Sequence, residues 1–279
     1  MASVMQFTQS NFQDYLTCKR RFELRYLRQL NWPAIESAPI QEAERRMQLG
    51  SDFHRLLHQH LLGLPKAELT LAAEQIATLT QSPELAEMWQ NYCLYPPTAL
   101  NESDRAVYPE LTLSTMLAGH RLTAKFDLVV KLPDTPTRFL IIDWKTNQID
   151  ANKLRQRMQS RVYPYVLVCA GASLHDEQPL DPAEVTMCYW FASQPDRPLY
   201  LSYSQTQFEQ DQRDLSALIE EITTVAEFPL TEESRACQYC VYRSYCDRGK
   251  MAGPLDEMEE DLELEELLLD LEQIAEIAY

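Results

Sequence analysis

A chain of 279 residues with 45% hydrophobic content is long enough to bury a full core, as one large domain or one domain with an insertion. Its charge is strongly acidic, with 42 Asp plus Glu against 25 Lys plus Arg and a net of −17, an awkward balance for a protein that handles nucleic acid. The longest apolar run, 162–174, is interrupted by Pro164 and too short for a bilayer, the first fifteen residues lack the apolar core of a secretory signal, and there is no glycine-rich phosphate loop, so a cytoplasmic chain without membrane or ATP binding is expected.

In chain order, Phe12, Tyr15, Phe22, Tyr26 and Leu30 form an apolar stripe that predicts a helix over about 10–30, with Cys18 at the stripe's edge. A mostly helical insertion follows at about 37–95, carrying His54 and closed by Pro96-Pro97. Strands are expected near 106–115, 120–132 and 138–145, a helix near 151–170, strands near 184–193 and 198–204, and a helix near 205–226. This is an α/β sandwich, in which Tyr108, Leu111 and Leu113 place Glu110 on a strand near the site without marking it as a ligand. Residues 1–250 read as a single domain and 251–279 as an acidic tail helix, whose apolar stripe is Leu264, Leu267, Leu268, Leu271 and Ile274. From residue 255 onward the tail holds eleven acidic and no basic side chains, so the rest is much nearer balance, 31 acidic against 25 basic. Docking on the core, partner binding and imitation of DNA phosphates all remain open for it.

The chemistry concentrates in Phe139-Leu-Ile-Ile-Asp-Trp-Lys145 and the preceding Asp127. Strand residues two apart share a face, so Asp143 and Lys145 emerge together, and a turn around 133–136 brings the strand of Asp127 alongside. Two carboxylates can hold magnesium or manganese while leaving positions open for a phosphodiester, and a lysine beside them can orient water and offset charge on the phosphorane. The alternative is a buried Asp–Lys pair kept only for the fold. His54, among Phe53, Leu56 and Leu57, is by itself more often a packed or surface histidine than a ligand, and His58 reads as structural.

Asp127 followed by Asp143-Trp-Lys145 resembles the PD-(D/E)xK nuclease signature in its RecB-like branch. Three further segments match in order: Ser10-x4-Tyr15-x2-Cys18-x2-Arg21-Phe22-x3-Tyr26, Gly50-x2-Phe53-His54 and Gln159-x3-Tyr163. The resemblance departs at Ala124, where the branch often has glycine. It implies a restriction-endonuclease-like mixed sheet flanked by helices, with the helical insertion and a metal-stapled C-terminal segment. It also implies Asp127, Asp143 and Lys145 as catalytic, and His54, Asp127, Asp143 and the Trp144 carbonyl as ligands of Mg2+ or Mn2+. Gln159 and Tyr163 would bind substrate.

Cys237-x2-Cys240-x5-Cys246 carries thiols at intervals that clamp soft metals, and Cys18 is the best fourth donor. One cysteine before the core and three after it resembles the iron–sulfur nucleases, the CRISPR-associated exonuclease family and AddB-type helicase–nuclease subunits. That resemblance implies a [4Fe-4S] cluster on Cys18, Cys237, Cys240 and Cys246; a zinc staple on the same ligands, or no metal, are the alternatives. Cys93, Cys169 and Cys188 read as buried thiols. Two basic clusters, Lys19, Arg20, Arg21, Arg25 and Arg28 and then Lys153, Arg155, Arg157 and Arg161, are candidates for phosphate contact, or else solvated helix faces. The expectation is a Mg2+- or Mn2+-dependent deoxyribonuclease, an exonuclease on single-stranded or frayed DNA ends, with a helicase or CRISPR adaptation protein as partner. Its rivals are a non-catalytic scaffold that binds DNA or a helicase, and a nuclease for RNA.

Overall fold

The computed structural model describes residues 4–30, 38–133, 137–238 and 240–249; the expected tail helix lies outside the described residues. In chain order the elements are β1 (Gln6–Phe7), α1 (Gln9–Thr17), α2 (Lys19–Phe22), a π-helical turn at Glu23–Leu27, α3 (Ala38–Leu61), α4 (Lys66–Thr80) and α5 (Glu84–Leu94). Then come β2 (Ala106–Leu117), β3 (His120–Lys131), β4 (Phe139–Lys145), α6 (Ala151–Gln156), α7 (Gln159–Ala170), β5 (Val185–Phe191), β6 (Leu199–Ser202), α8 (Gln205–Thr224) and α9 (Arg235–Gln238). The chain divides into two compact units, one of residues 1–9 and 49–220, the other of 10–48 and 221–279.

The first unit is built on one mixed sheet of six strands flanked by helices, in the order β1-β3-β4-β5-β6 with β2 on the other side of β3. β2 and β3 form a long antiparallel hairpin closed between Leu117 and His120. Its two loop residues, Ala118 and Gly119, both have positive φ, 48° and 77°, the backbone of the tight turn whose twist matches paired strands. β4 runs antiparallel to β3 and parallel to β5, and the crossover between β4 and β5 carries α6 and α7.

Alternation along the strands sorts the two faces. Leu128, Val130, Ile142, Trp144, Cys188 and Trp190 pack with Phe53, Trp89 and Tyr92 of α3 and α5, where the Phe53 and Trp190 rings stack at 6.2 Å. The opposite face of β4 and β5 meets α7, as the bonds of Gln159 to Asp143 and Ser160 to Tyr189 show. β4 and β5 are buried at every position, which is why residues 139–145 read as an apolar run interrupted only by Asp143 and Lys145.

Two expected helices are each broken into shorter pieces. Cys18 is extended (φ −160°, ψ 109°) and separates α1 from α2. Arg157 is extended too, so α6 ends and α7 begins anew just before Gln159. In the second unit, Asp14, only 1% exposed, is gripped by Arg21 at 2.5 Å, Arg25 at 2.9 Å and the Tyr26 hydroxyl at 3.0 Å. A buried carboxylate needs such partners, and they tie α1 to α2 and the turn that follows.

Candidate active site

The β3–β4 ladder stops at Leu128 opposite Ile142. One step further the register would set Asp127 against Asp143, and with the pairing ended the two carboxylates stand at the mouth of a fork between the strands. Asp127 Oδ2 accepts the Trp144 N–H across that fork at 2.9 Å. His54, from α3, reaches the same place: Nδ1 lies 3.6 Å from Asp127 Oδ1 and Nε2 lies 3.1 Å from the Trp144 carbonyl oxygen. Burial alone would push the Asp127 carboxyl up, but His54, the Trp144 N–H and the Lys145 ammonium outweigh it and hold the group below the usual carboxylate range. Asp127 is therefore an ionised acceptor.

Asp143 and Lys145 are 2% and 8% exposed and pair directly, Lys145 Nζ to Asp143 Oδ2 at 2.7 Å. Gln159 bridges them, donating from Nε2 to Asp143 Oδ1 at 2.5 Å and accepting from Lys145 Nζ at 3.3 Å. Lys145 Nζ also lies over the Tyr189 ring, 5.7 Å from its centre. Tyr163, one turn beyond Gln159, has its hydroxyl raised well above the usual range by burial first and then by the charges of Asp143 and Asp127, so it stays a neutral donor beside both. Thus His54, Asp127, Asp143, Trp144, Lys145, Gln159 and Tyr163, scattered over more than a hundred positions, gather around the strand ends of the first unit. Tyr189 escaped the sequence reading, yet the parallel register sets it opposite Asp143 and strand alternation was the signal that could have found it. Glu110 lies on β2 as expected, with a positive φ of 52° and its carboxylate on Lys125 at 2.8 Å. Among the described residues, no three His, Cys, Asp or Glu side chains form a ready-made metal cage.

In the second unit, Cys18, Cys237, Cys240 and Cys246 line one cavity of about 20 Å3, together with Arg21 and Arg243. That is room for one water-sized sphere. Burial pushes the Cys240 thiol up to about 11, against the opposing charge of Arg21. Cys237 and Cys246 are raised by burial as well, and each of these three thiols is disfavoured as an anion by Cys18. The four sulfurs are near enough to sense one another, and a soft cation would have to displace their protons. The extended break at Cys18 turns that residue out of the helical run it interrupts.

Every cation of the first basic cluster, and Arg161 of the second, has an acidic partner in the fold. Lys19 pairs with Glu221, Arg20 and Arg28 with Glu23, and Arg21 and Arg25 with Asp14. In the second cluster Arg161 is clamped by Asp211 at 2.6 Å and Asp214 at 2.5 Å. These six cations are already paired within the fold.

A family model described as the PD-(D/E)XK nuclease superfamily matches residues 6–247. No curated protein matches the chain. Among solved structures, a candidate exonuclease from Eubacterium rectale is similar at 10% identity and a TM-score of 0.47, covering 77% of this chain and 79% of that one. The protein SSO0001 is similar at 12% identity and a TM-score of 0.37, covering 90% of each chain.

Proposed function

This chain belongs to the PD-(D/E)XK nuclease superfamily, and from that premise we propose that it is a Mg2+- or Mn2+-dependent deoxyribonuclease with its active site at the β3–β4 fork. The observation that carries the reading is the buried Asp143–Lys145 pair bridged by Gln159, set beside an ionised Asp127 and His54. A buried ion pair is a poor device for stability alone, since desolvation offsets most of its attraction. Carboxylate oxygens, an imidazole and the Trp144 carbonyl suit a hard divalent cation, and His54, Asp127, Asp143 and Trp144 would hold it. Once bound, such an ion supplies charge neutralisation at the phosphate and lowers the pKa of the attacking water. Lys145 then orients that water and offsets negative charge as it builds on phosphorus. Gln159 keeps the lysine and Asp143 in mutual register, and Tyr163 keeps a neutral hydroxyl close to the two carboxylates.

Cleavage from single-stranded or frayed ends is the mode we infer, with a helicase or a CRISPR adaptation protein as the partner that delivers such ends. The four-thiol cavity supports a soft-metal staple in the second unit. Its donor set suits zinc or a [4Fe-4S] cluster, and Cys18, Cys237, Cys240 and Cys246 would hold it. The survey that tests the function is digestion of end-labelled and circular single-stranded DNA, duplex DNA and RNA with Mg2+ or Mn2+. Loss of labelled ends from linear DNA, with circles spared and chelator abolishing the reaction, is the expected result. Cutting of circles would make it an endonuclease, and cleavage of RNA alone would overturn the DNA assignment.

A further inference from the structure

Beyond the fork, the carboxyl ends of the parallel strands β4 and β5 enclose an open cleft of about 490 Å3, within the size range of small-ligand sites. Its walls come from the loop after β4, with Gln148, Ile149 and Asp150, and from the end of β5 and the loop beyond it, with Phe191, Arg197 and Leu199. Phe191 is the register partner of Lys145, so the cleft begins one strand spacing from the candidate catalytic lysine. The two loops are fastened to each other: Ala192 N–H donates to the Lys145 carbonyl at 2.7 Å, Ser193 N–H to the Thr146 carbonyl at 3.1 Å, and Gln148 N–H to Ser193 Oγ at 3.1 Å. The walls are thus preformed and fixed in position relative to Lys145, which lowers the ordering cost of binding.

Their chemistry is divided. Phe191, Ile149 and Leu199 are apolar, Gln148 offers an amide, and Arg197 holds its guanidinium outward, 74% exposed and only loosely attended by Asp196 at 3.9 Å. Asp150, the acidic residue of the wall, is turned to the start of α6, where its carboxylate accepts the N–H groups of Asn152 at 2.9 Å and Lys153 at 3.2 Å. A ligand with one anionic group and one flat, partly apolar body matches this distribution. The carboxyl ends of parallel strands are also where open α/β sheets receive their ligands.

We propose that this cleft is a nucleotide subsite: it takes the nucleotide next to the scissile phosphate, with the neighbouring phosphate on Arg197 and the sugar and base against Leu199 and Ile149. The proposal rests on the nuclease reading and extends it, since it assigns the recognition of the cut strand to the β4 and β5 loops.

The test uses the full chain. Arg197→Glu should raise KM for an end-labelled single-stranded oligonucleotide at least tenfold with a much smaller change in kcat, Arg197→Lys should recover most of the loss, and Arg213→Glu, on the exposed surface of α8 and outside the cleft lining, should change neither. In parallel, deoxyadenosine 5′-monophosphate titrated into the Asp143→Asn protein should shift the backbone amide signals of Gln148 and Leu199, and Arg197→Glu should remove those shifts. Active enzyme with an unaltered KM in Arg197→Glu and no shift at Gln148 or Leu199 would overturn the subsite while leaving the nuclease intact. Absence of cleavage by every protein, the unsubstituted chain included, would overturn the nuclease reading and the subsite with it.

Discussion

At the scale of single residues, Asp143 and Lys145 decide between chemistry and architecture. Removing one partner of a buried pair leaves the other charge stranded, so Asp143→Ala or Lys145→Ala should cost about 3–5 kcal/mol as well as activity. Single substitutions therefore confuse the two roles. The double variant Asp143→Leu/Lys145→Met removes both charges and keeps the volume, and a site kept for catalysis should then fold at least as stably as the native chain, by roughly 1–4 kcal/mol, while cleaving nothing. Urea unfolding beside an activity assay checks it; a double variant less stable than either single one would mean that the pair is structural. The gathering of these residues was legible because it depends on a two-residue period and on short spacings: Asp143 and Lys145 on one face, Gln159 and Tyr163 one helical turn apart. The bridge made by Gln159 and the ring of Tyr189 under Lys145 depend on packing between α7, β4 and β5, which no local pattern records.

Among the elements, the five strands from β2 to β6 could be read to within two residues, because β4 and β5 are buried on both sides and β2–β3 close through a two-residue turn; the two-residue β1 could not. Helix continuity could not. The apolar stripe of residues 10–30 survives the break at Cys18 unchanged, so periodicity sees one helix where the backbone makes two. The same happens at Arg157, where a run of helix-forming residues hides the new start that aims Gln159 at Asp143. The helical layer over the sheet also carries a pH dependence. His60 of α3 hydrogen-bonds the Tyr92 hydroxyl at 3.0 Å and packs edge-on to Trp89, and burial, aided by the charge of Lys66, holds its pKa below the ordinary 6.5. The fold thus prefers the neutral ring, whereas the unfolded chain takes up the proton first. Stability is whole above about pH 6.5 and declines as pH falls below it and through the lower folded value. The thermal midpoint should drop between pH 7 and pH 5, and His60→Gln should show a smaller drop; equal drops would remove His60 from the account.

For the whole molecule, net charge misled in both directions. The acidic balance argues against nucleic acid, and the local basic clusters argue for it, yet Lys19 finds Glu221 and Arg161 finds Asp211 and Asp214 across separations that only the fold closes. With those cations already paired, they contribute little to displacing counterions from a phosphate backbone. Binding of single-stranded DNA by the Asp143→Asn protein should therefore weaken only gently with salt, with a log–log slope of magnitude about 2 or less, which corresponds to no more than about three phosphate contacts. A slope of about 5 or more would mean that the pairs open to receive DNA. All of this depends on the fork at Asp127 and Asp143 being an active site, and one comparison tests that most directly: end-labelled single-stranded DNA with Mg2+, incubated with the native chain and with Asp143→Asn, both shown by circular dichroism to be folded. The account predicts progressive shortening by the native chain and none by Asp143→Asn; equal cleavage by the two would contradict it.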